Sequence, residues 1–225
     1  MQHDLDVFDT ANAVANAAAA FVLARARAAV AHHAQFTFAV SGGHSPWAMC
    51  ALLAQEEMPW QEVVVFQVDE RIAPDGDPDR NLTHLRAALG LVGQLDIRPM
   101  PVTDPDPDAA AGRYAEALPA RFDLVHLGLG PDGHTASLVP GDPVLDVHDR
   151  LVAVTAEYQG RRRMTLTYPA LARADQLLWL VTGVEKEHAL AKLLAFDPEI
   201  PAGRVEAARS LIFADRAASP TSGES

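Results

Sequence analysis

The stretch Asp123-Leu-Val-His-Leu127, continued by Gly128-Leu-Gly-Pro-Asp-Gly-His-Thr-Ala-Ser137, decides the fold class of this chain. Its first five residues form an apolar run that predicts a short buried strand. Three glycines and a proline then force a sharp turn, which presents Asp132 and His134 at the end of that strand. Open α/β sheets bind ligands at this edge. His134 is therefore the first candidate for a catalytic residue.

Outward from this stretch, apolar runs alternate with helix signals. A long Ala-rich helix begins at a cap formed by Asp9 or Thr10 and runs to about Ala31. The remaining segments predict strands at 36–40, 63–68, 123–127, 151–155, 164–167, 177–182 and 211–214, and helices at 46–54, 81–89, 109–118 and 184–195. Near-continuous apolar strands alternating with helices predict an α/β fold. We expect an open, mostly parallel, doubly wound sheet with helices on both faces, Rossmann-like and three-layered, with room for one antiparallel marginal strand.

Length and composition limit the classes of protein to consider. The 225 residues suit one domain, expected at 1–218, with a disordered tail at 219–225. A net charge of −12 argues against a nucleic-acid partner and against an anionic membrane surface. The single cysteine, Cys50, excludes an internal disulfide and a multi-cysteine metal site, and its apolar helical context predicts inert core packing.

The Ala-rich run at 11–24 is not expected to be a signal peptide or a membrane span. Acidic residues precede it, Asn12 and Asn16 interrupt it, and Arg25 and Arg27 follow closely. A secretory leader is positively charged, and a spanning helix needs about 20 apolar residues. The sequence therefore predicts a soluble, cytoplasmic protein.

Three loops follow the carboxyl ends of predicted parallel strands, which meet along one edge of a sheet. They are Ser41-Gly-Gly-His-Ser45, Asp69-Glu-Arg71 and Gly130-Pro-Asp-Gly-His134. Lys186 begins the helix after the strand at 177–182. We expect these segments, far apart in sequence, to line one cleft.

The loop around Gly42 and Gly43 has a physical use in anion binding. Glycines let the backbone approach a ligand closely, and the free N–H groups of the following helix favour an anion. Ser41 and Ser45 add hydroxyl donors. The loop matches neither the nucleotide P-loop nor the dinucleotide pattern, and a tight turn without a ligand remains the alternative.

Asp132 and His134 suit general acid–base chemistry. An aspartate that binds one imidazole nitrogen leaves the other free to accept a proton near neutral pH. The alternative is a loop histidine that caps a backbone carbonyl. No second histidine stands at ligand spacing, so no metal site is expected. For Asp69-Glu-Arg71, the alternative is a solvated end of a strand.

The basic run Arg161-Arg-Arg163 is either a solvated turn or the start of a strand, since the alternation in Thr165-Leu-Thr167 is typical of strands. In a wholly parallel sheet, Arg163 would start a strand at the edge away from the cleft. For Arg163 to reach the cleft, its strand must run antiparallel or lie at the margin of the sheet.

Taken together, these segments resemble the 6-phosphogluconolactonases, which belong to a wider family with the glucosamine-6-phosphate deaminases. The resemblance follows the chain in order over nearly its whole length, and several motifs in the right order are far more specific than one. The matching segments are Ser41-Gly-Gly-His-Ser-Pro46, Asp69-Glu-Arg71 with Pro74 and Asp79-Arg-Asn81, Gly128 to Ser137, Arg163-Met-Thr-Leu-Thr167, and Thr182-Gly183 with Lys186. Ser45 stands where the family usually has threonine.

The resemblance implies hydrolysis of 6-phospho-D-glucono-1,5-lactone, the second step of the oxidative pentose phosphate pathway. It implies His134 as the base that activates water and Asp132 as the group that orients it. The residues expected to bind the phosphosugar lactone are Ser41, Gly42, Gly43, Ser45, Asp69, Arg71, Gly130, Gly133, Arg163 and Lys186. No metal and no cofactor are expected, and the chain would act as a monomer or small homo-oligomer.

Two other functions remain open. The deaminases carry a glutamate shortly after the histidine, whereas here no carboxylate follows His134 until Asp142. Asp69, which both groups share, keeps a phosphosugar isomerase or deaminase possible. A non-catalytic phosphosugar sensor is the second alternative, although the chain has no helix-turn-helix candidate and no basic patch of its own.

Overall fold

A parallel sheet forms the centre of the computed structural model, which describes residues 2–90 and 92–219. Within these residues, seven strands pair in the order β1-β10-β9-β6-β2-β3-β5, all in parallel, and three more form a separate antiparallel sheet in the order β4-β8-β7. In chain order the strands are β1 (His3–Phe8), β2 (Phe36–Val40), β3 (Val63–Gln67), β4 (Asp69–Arg71), β5 (Asp96–Arg98), β6 (Leu124–Gly128), β7 (Val152–Val154), β8 (Arg163–Leu166), β9 (Leu177–Val181) and β10 (Ser210–Asp215).

Helices cover both faces of the parallel sheet. They are α1 (Ala11–His33), α2 (His44–Leu53), α3 (Asn81–Ala88), α4 (Pro107–Ala117), α5 (Tyr168–Leu171) and α6 (Glu187–Leu194). Alternate residues of β2 point to opposite faces. Phe38 packs in the core under α1, α2 and α3, whereas Ala39 packs in the core under α4, α6 and the small sheet. The predicted three-layer α/β fold is confirmed.

The segment Asp69-Glu-Arg71 departs from the expectation of a loop. It forms β4, which leaves the parallel sheet directly after β3 and pairs antiparallel with β8. Val68 lies between the two sheets: its N–H donates to the Val40 carbonyl (3.0 Å), and its carbonyl accepts from the N–H of Leu166 (2.8 Å). The antiparallel strand expected at the margin of the main sheet therefore belongs to a second sheet of its own.

Two strands of the main sheet were not predicted. β1 lies at one edge, where Asp4 and Asp6 alternate with apolar residues. β5, of three residues, lies at the other edge, in a stretch for which neither a strand nor a helix was predicted. Edge strands often carry charged side chains or are short; β1 has the charged residues and β5 has both features, so neither has the apolar run that identifies the inner strands.

Helix α1 begins as predicted, because the Thr10 hydroxyl caps the N–H of Ala13 (3.2 Å). By length and composition alone it is apolar enough to cross a membrane. Here one side of α1, including Val14, Val22 and Ala26, is fully buried in the core of the fold.

The chain end and the domain boundary are described only in part. Of the tail expected at 219–225, Ser219 donates its N–H to the Asp215 carbonyl, and 220–225 lie outside the described residues. The single domain at 1–218 stays a prediction.

Candidate active site

A cleft of about 350 Å³ lies at the carboxyl edge of the parallel sheet and is bordered by the small sheet. Most of the predicted site residues line it, as expected from the strand ends that carry them. They are Ser41, Gly42, Gly43, Ser45, Asp69, Arg71, Gly130, His134, Arg163 and Lys186. Asp132 and Gly133 belong to the same loop as His134 but do not line the cleft.

His134 and Asp132 form a hydrogen-bonded pair. Nδ1 of His134 lies 2.5 Å from Oδ1 of Asp132, which also accepts the backbone N–H of His134 (3.2 Å). Burial opposes ionisation of Asp132, but the charge and hydrogen bonds of His134 outweigh it and hold the pKa of Asp132 below its ordinary value. An ionised Asp132 accepts a hydrogen bond from the N–H at Nδ1 of His134, which leaves Nε2 of His134 as the basic nitrogen.

Gly130 and Gly133 shape the loop that carries this pair. A Cβ at Gly130 would lie 2.1 Å from Nδ1 of His134 and 2.6 Å from Oδ1 of Asp132. Gly133 adopts a φ of +80°, and a Cβ there would lie 2.5 Å from the side chain of Ile200. Gly130 therefore leaves room for the side chains of the pair, and Gly133 leaves room for Ile200.

The loop between β2 and α2 also depends on close approach. A Cβ at Gly42 would lie 2.1 Å from Oδ1 of Asn81, and Gly43 adopts a φ of +136° just before α2 begins. The two predicted hydroxyl donors are already engaged. Ser41 donates to Asp69 (3.3 Å), and Ser45 shares a 2.9 Å hydrogen bond with Thr182 in which either hydroxyl can be the donor. Free N–H groups at the start of α2 remain available to an anion.

Arg71 and Arg163 bring two guanidinium groups to the cleft from the paired strands β4 and β8. Their Nε atoms are buried without a hydrogen-bond partner. Within residues 2–90 and 92–219, no carboxylate forms an ion pair with either arginine. Burial, together with the neighbouring Arg71 charge, lowers the pKa of Arg163, although the charge of Asp69 opposes this shift. A buried and a half-buried cation that lie side by side without a carboxylate ion-pair partner are stabilised by an anionic ligand.

Arg71 and Lys186 each have a partner within the protein. Nη1 of Arg71 donates to the Asp79 carbonyl (2.7 Å) and to Oδ1 of Asn81 (3.0 Å). Lys186 lines the opposite side of the cleft, 4.0 Å from the Glu185 carboxylate. Two hydrogen bonds thus hold Arg71 at the cleft wall, whereas Lys186 has one long ion-pair contact.

Asp69 and Glu70 have structural partners that the sequence did not indicate. The buried Asp69 carboxylate accepts hydrogen bonds from Ser41, Asn81 and Ser137, the last at 2.7 Å. The fully buried Glu70 carboxylate accepts the N–H groups that open α3, those of Asn81 (2.8 Å) and Leu82 (2.9 Å). A contact between Asp69 and substrate stays a prediction, since its oxygens already hold the loops together.

Sequence reasoning missed Tyr158, which reaches the Asp132–His134 pair from the turn between β7 and β8. The only signal was its place before Gln159-Gly160, a turn dipeptide between two predicted strands. Gln159 and Gly160 both have positive φ, 52° and 76°, as a tight hairpin requires. The described residues contain no group of three metal-ligating side chains.

The comparisons agree with this geometry. The sequence pattern of the family described as glucosamine-6-phosphate isomerases/6-phosphogluconolactonase matches residues 9–213. The chain belongs to this family.

Among similar proteins is a 6-phosphogluconolactonase of Synechocystis, 37% identical over 232 residues, with 95% of each chain covered. A 6-phosphogluconolactonase of Rhizobium meliloti is 33% identical, covering 88% of this chain and 90% of its own. In fold, the chain is similar to the crystal structure of a 6-phosphogluconolactonase from Shewanella baltica, with a TM-score of 0.86 and 23% identity over 95% of this chain and 98% of the other.

Proposed function

We propose that this chain hydrolyses 6-phospho-D-glucono-1,5-lactone to 6-phosphogluconate, the second step of the oxidative pentose phosphate pathway. One observation carries the proposal: a histidine oriented by an ionised aspartate shares a cleft with two guanidinium groups that have no carboxylate partner. The relatives named 6-phosphogluconolactonase support the same substrate. The cations bind the phosphate group of this substrate, and the histidine acts as the base for hydrolysis of its lactone.

The phosphate is held at the cationic side of the cleft. Arg163 and Arg71 offer planar N–H groups that pair with phosphate oxygens, and the backbone N–H groups at Gly43 and the start of α2 add to them. Lys186 supplies a further charge from the opposite wall. Fixing the phosphate places the lactone carbonyl beside His134, which replaces a chance encounter by a defined geometry.

His134 then acts as base and acid in turn. Its Nε2 removes a proton from a water molecule as the water oxygen bonds to the lactone carbonyl carbon. Loop N–H groups or a neighbouring cation stabilise the resulting oxyanion. When the bond from that carbon to the ring oxygen breaks, the imidazolium returns the proton to the ring oxygen. No metal or cofactor takes part in this sequence.

The isomerase or deaminase alternative receives less support from the carboxylates. Asp142, the first one after His134, caps the N–H of Val144 (2.8 Å) and does not line the cleft. Asp69 is held by three hydrogen-bond donors. Neither is placed as a free acid–base group for moving protons along a sugar.

One copy of the chain supplies every group that the proposal uses, and it involves neither nucleic acid nor membrane. We place the activity in the cytoplasm, because phosphorylated sugars do not cross membranes unaided.

The test is lactone hydrolysis by the purified protein, with the substrate generated in the cuvette and the spontaneous rate subtracted. His134→Ala should lower kcat by about 10²- to 10⁴-fold with little change in the affinity for 6-phosphogluconate. His148→Ala, at an exposed histidine outside the cleft, is the matched control. Near-normal turnover by His134→Ala would remove His134 as the base, and a wild-type protein that does not accelerate the reaction would overturn the function.

A further inference from the structure

The turn between β7 and β8 places the side chain of Tyr158 against both the Asp132–His134 pair and Arg163. The hydroxyl of Tyr158 lies 3.4 Å from Oδ2 of Asp132, the carboxylate oxygen that His134 does not use. Its ring lies 5.9 Å from the His134 ring in an edge-on arrangement, and the Arg163 guanidinium carbon lies 4.9 Å from its centre. No other described side chain contacts the catalytic pair and an anion-binding arginine in this way.

We propose that Tyr158 is a positioning residue, whose hydroxyl fixes the Asp132 carboxylate behind His134 and whose ring fixes the Arg163 guanidinium toward the phosphate. This inference rests on the proposed lactonase function. It assigns two separable tasks to two parts of one side chain.

The hydroxyl suits the first task because it stays protonated. Burial, the Asp132 charge and the hydrogen bond to Asp132 raise the pKa of Tyr158, more than the Arg163 charge lowers it. A protonated phenol donates a hydrogen bond to a carboxylate, so both oxygens of Asp132 have a partner, His134 at Oδ1 and Tyr158 at Oδ2. A carboxylate bound at both oxygens cannot rotate, which keeps the imidazole aimed at the substrate.

The ring suits the second task because guanidinium groups stack on aromatic faces. The Arg163 guanidinium also contacts the next residue of the same turn, because its Nη2 donates to Oε1 of Gln159 (3.1 Å). The turn itself is closed by hydrogen bonds in both directions between the backbones of Tyr158 and Arg161 (3.0 and 3.3 Å). Arg163 is thus held by two residues of one hairpin, Tyr158 and Gln159, while its Nε has no hydrogen-bond partner within the protein.

Two substitutions separate the tasks. Tyr158→Phe removes the hydroxyl and keeps the ring, so kcat should fall about three- to tenfold, with KM and the Kd for inorganic phosphate unchanged. Tyr158→Leu removes both, so the same loss of kcat should be joined by a rise of about two- to fivefold in KM and in the phosphate Kd. Glu157→Gln, at the exposed neighbouring position, is the matched control and should match the wild type.

Wild-type kcat in Tyr158→Phe would overturn the role of the hydroxyl. Wild-type phosphate affinity in Tyr158→Leu would overturn the role of the ring. Two readouts do not need turnover: the phosphate Kd, and the ¹⁵N chemical shifts of the His134 ring, which should change in Tyr158→Phe when Asp132 is released. If the wild type fails to hydrolyse the lactone, the proposed function fails, and these readouts still decide the role of Tyr158.

Discussion

Arg71 and Arg163 lie directly opposite each other across the antiparallel pair β4 and β8. Like charges at facing positions destabilise a sheet, and Arg163 is also buried. The repulsion between the two guanidinium groups therefore destabilises the folded chain locally, and an anionic ligand bound between them offsets this effect. This relationship explains how a chain with a net charge of −12 can bind a phosphate.

Replacement of Arg163 by methionine should separate binding from stability. We expect Arg163→Met to raise KM by about ten- to a hundredfold, because a charge-assisted hydrogen bond to phosphate is lost. The free energy of unfolding should stay the same or rise, since the repulsion with Arg71 is removed. Steady-state kinetics and urea unfolding measure the two effects. Arg162→Met, at the exposed adjacent position, should leave KM unchanged; an equal rise of KM in both variants would count against the assignment.

Gly130→Ala should disable the catalytic pair without unfolding the chain. The added methyl would lie within 2.1 Å of Nδ1 of His134 and would push the ring away from Asp132. We expect kcat to fall by about a hundredfold or more, because a displacement of about 1 Å has that effect. The affinity for 6-phosphogluconate should persist. Gly112→Ala, where a Cβ meets no neighbour, is the control, and kinetic constants like those of the wild type in Gly130→Ala would contradict the packing described here.

The buried His126 predicts how stability depends on pH. Burial lowers the pKa of its imidazole from 6.5 to about 3, and its Nδ1 accepts the N–H of Ser41 (3.3 Å). Between these two pKa values the unfolded chain binds a proton that the native chain does not. Stability contributed by neutral His126 is thus complete above pH 6.5 and is lost as pH falls, by about 1.4 kcal/mol per unit.

From pH 7 to pH 5, His126 alone should lower the free energy of unfolding by about 2 kcal/mol. Urea unfolding of the wild type and of His126→Gln at several pH values isolates this effect, because other groups titrate equally in both proteins. His148→Gln, at an exposed position, should keep the slope of the wild type. Parallel pH dependences for the wild type and His126→Gln would show that His126 is not the cause.

The sequence predicted the inner strands, because their apolar runs are nearly continuous as in β2 and β6, and it predicted every helix except the four-residue α5. It did not identify β1 and β5, because charged side chains interrupt these edge strands and leave no continuous apolar run. It also treated Asp69-Glu-Arg71 as a loop. Three charged residues in a row resemble an exposed turn, and only the tertiary structure shows that Glu70 is buried because it receives the N–H groups at the start of α3.

Several cleft residues could be predicted because local sequence patterns mark them. Glycine-rich turns after apolar strands mark the positions of His134 and of the loop at Gly42 without any tertiary information. Tyr158 was not predicted, because its role depends on the contact of a hairpin with a distant loop. Tyr158 and Asp132 are 26 residues apart, and a side-chain contact between two such loops leaves no periodic pattern in the sequence.

Val68 has a consequence for how the molecule can move. Because this one residue hydrogen-bonds to β2 on one side and to β8 on the other, it ties the two sheets together at their junction. Opening the cleft by swinging the small sheet outward would break ladder bonds in the core of the fold. The two arginines on β4 and β8 are consequently tied, through the backbone of Val68, to the edge of the main sheet where the cleft lies.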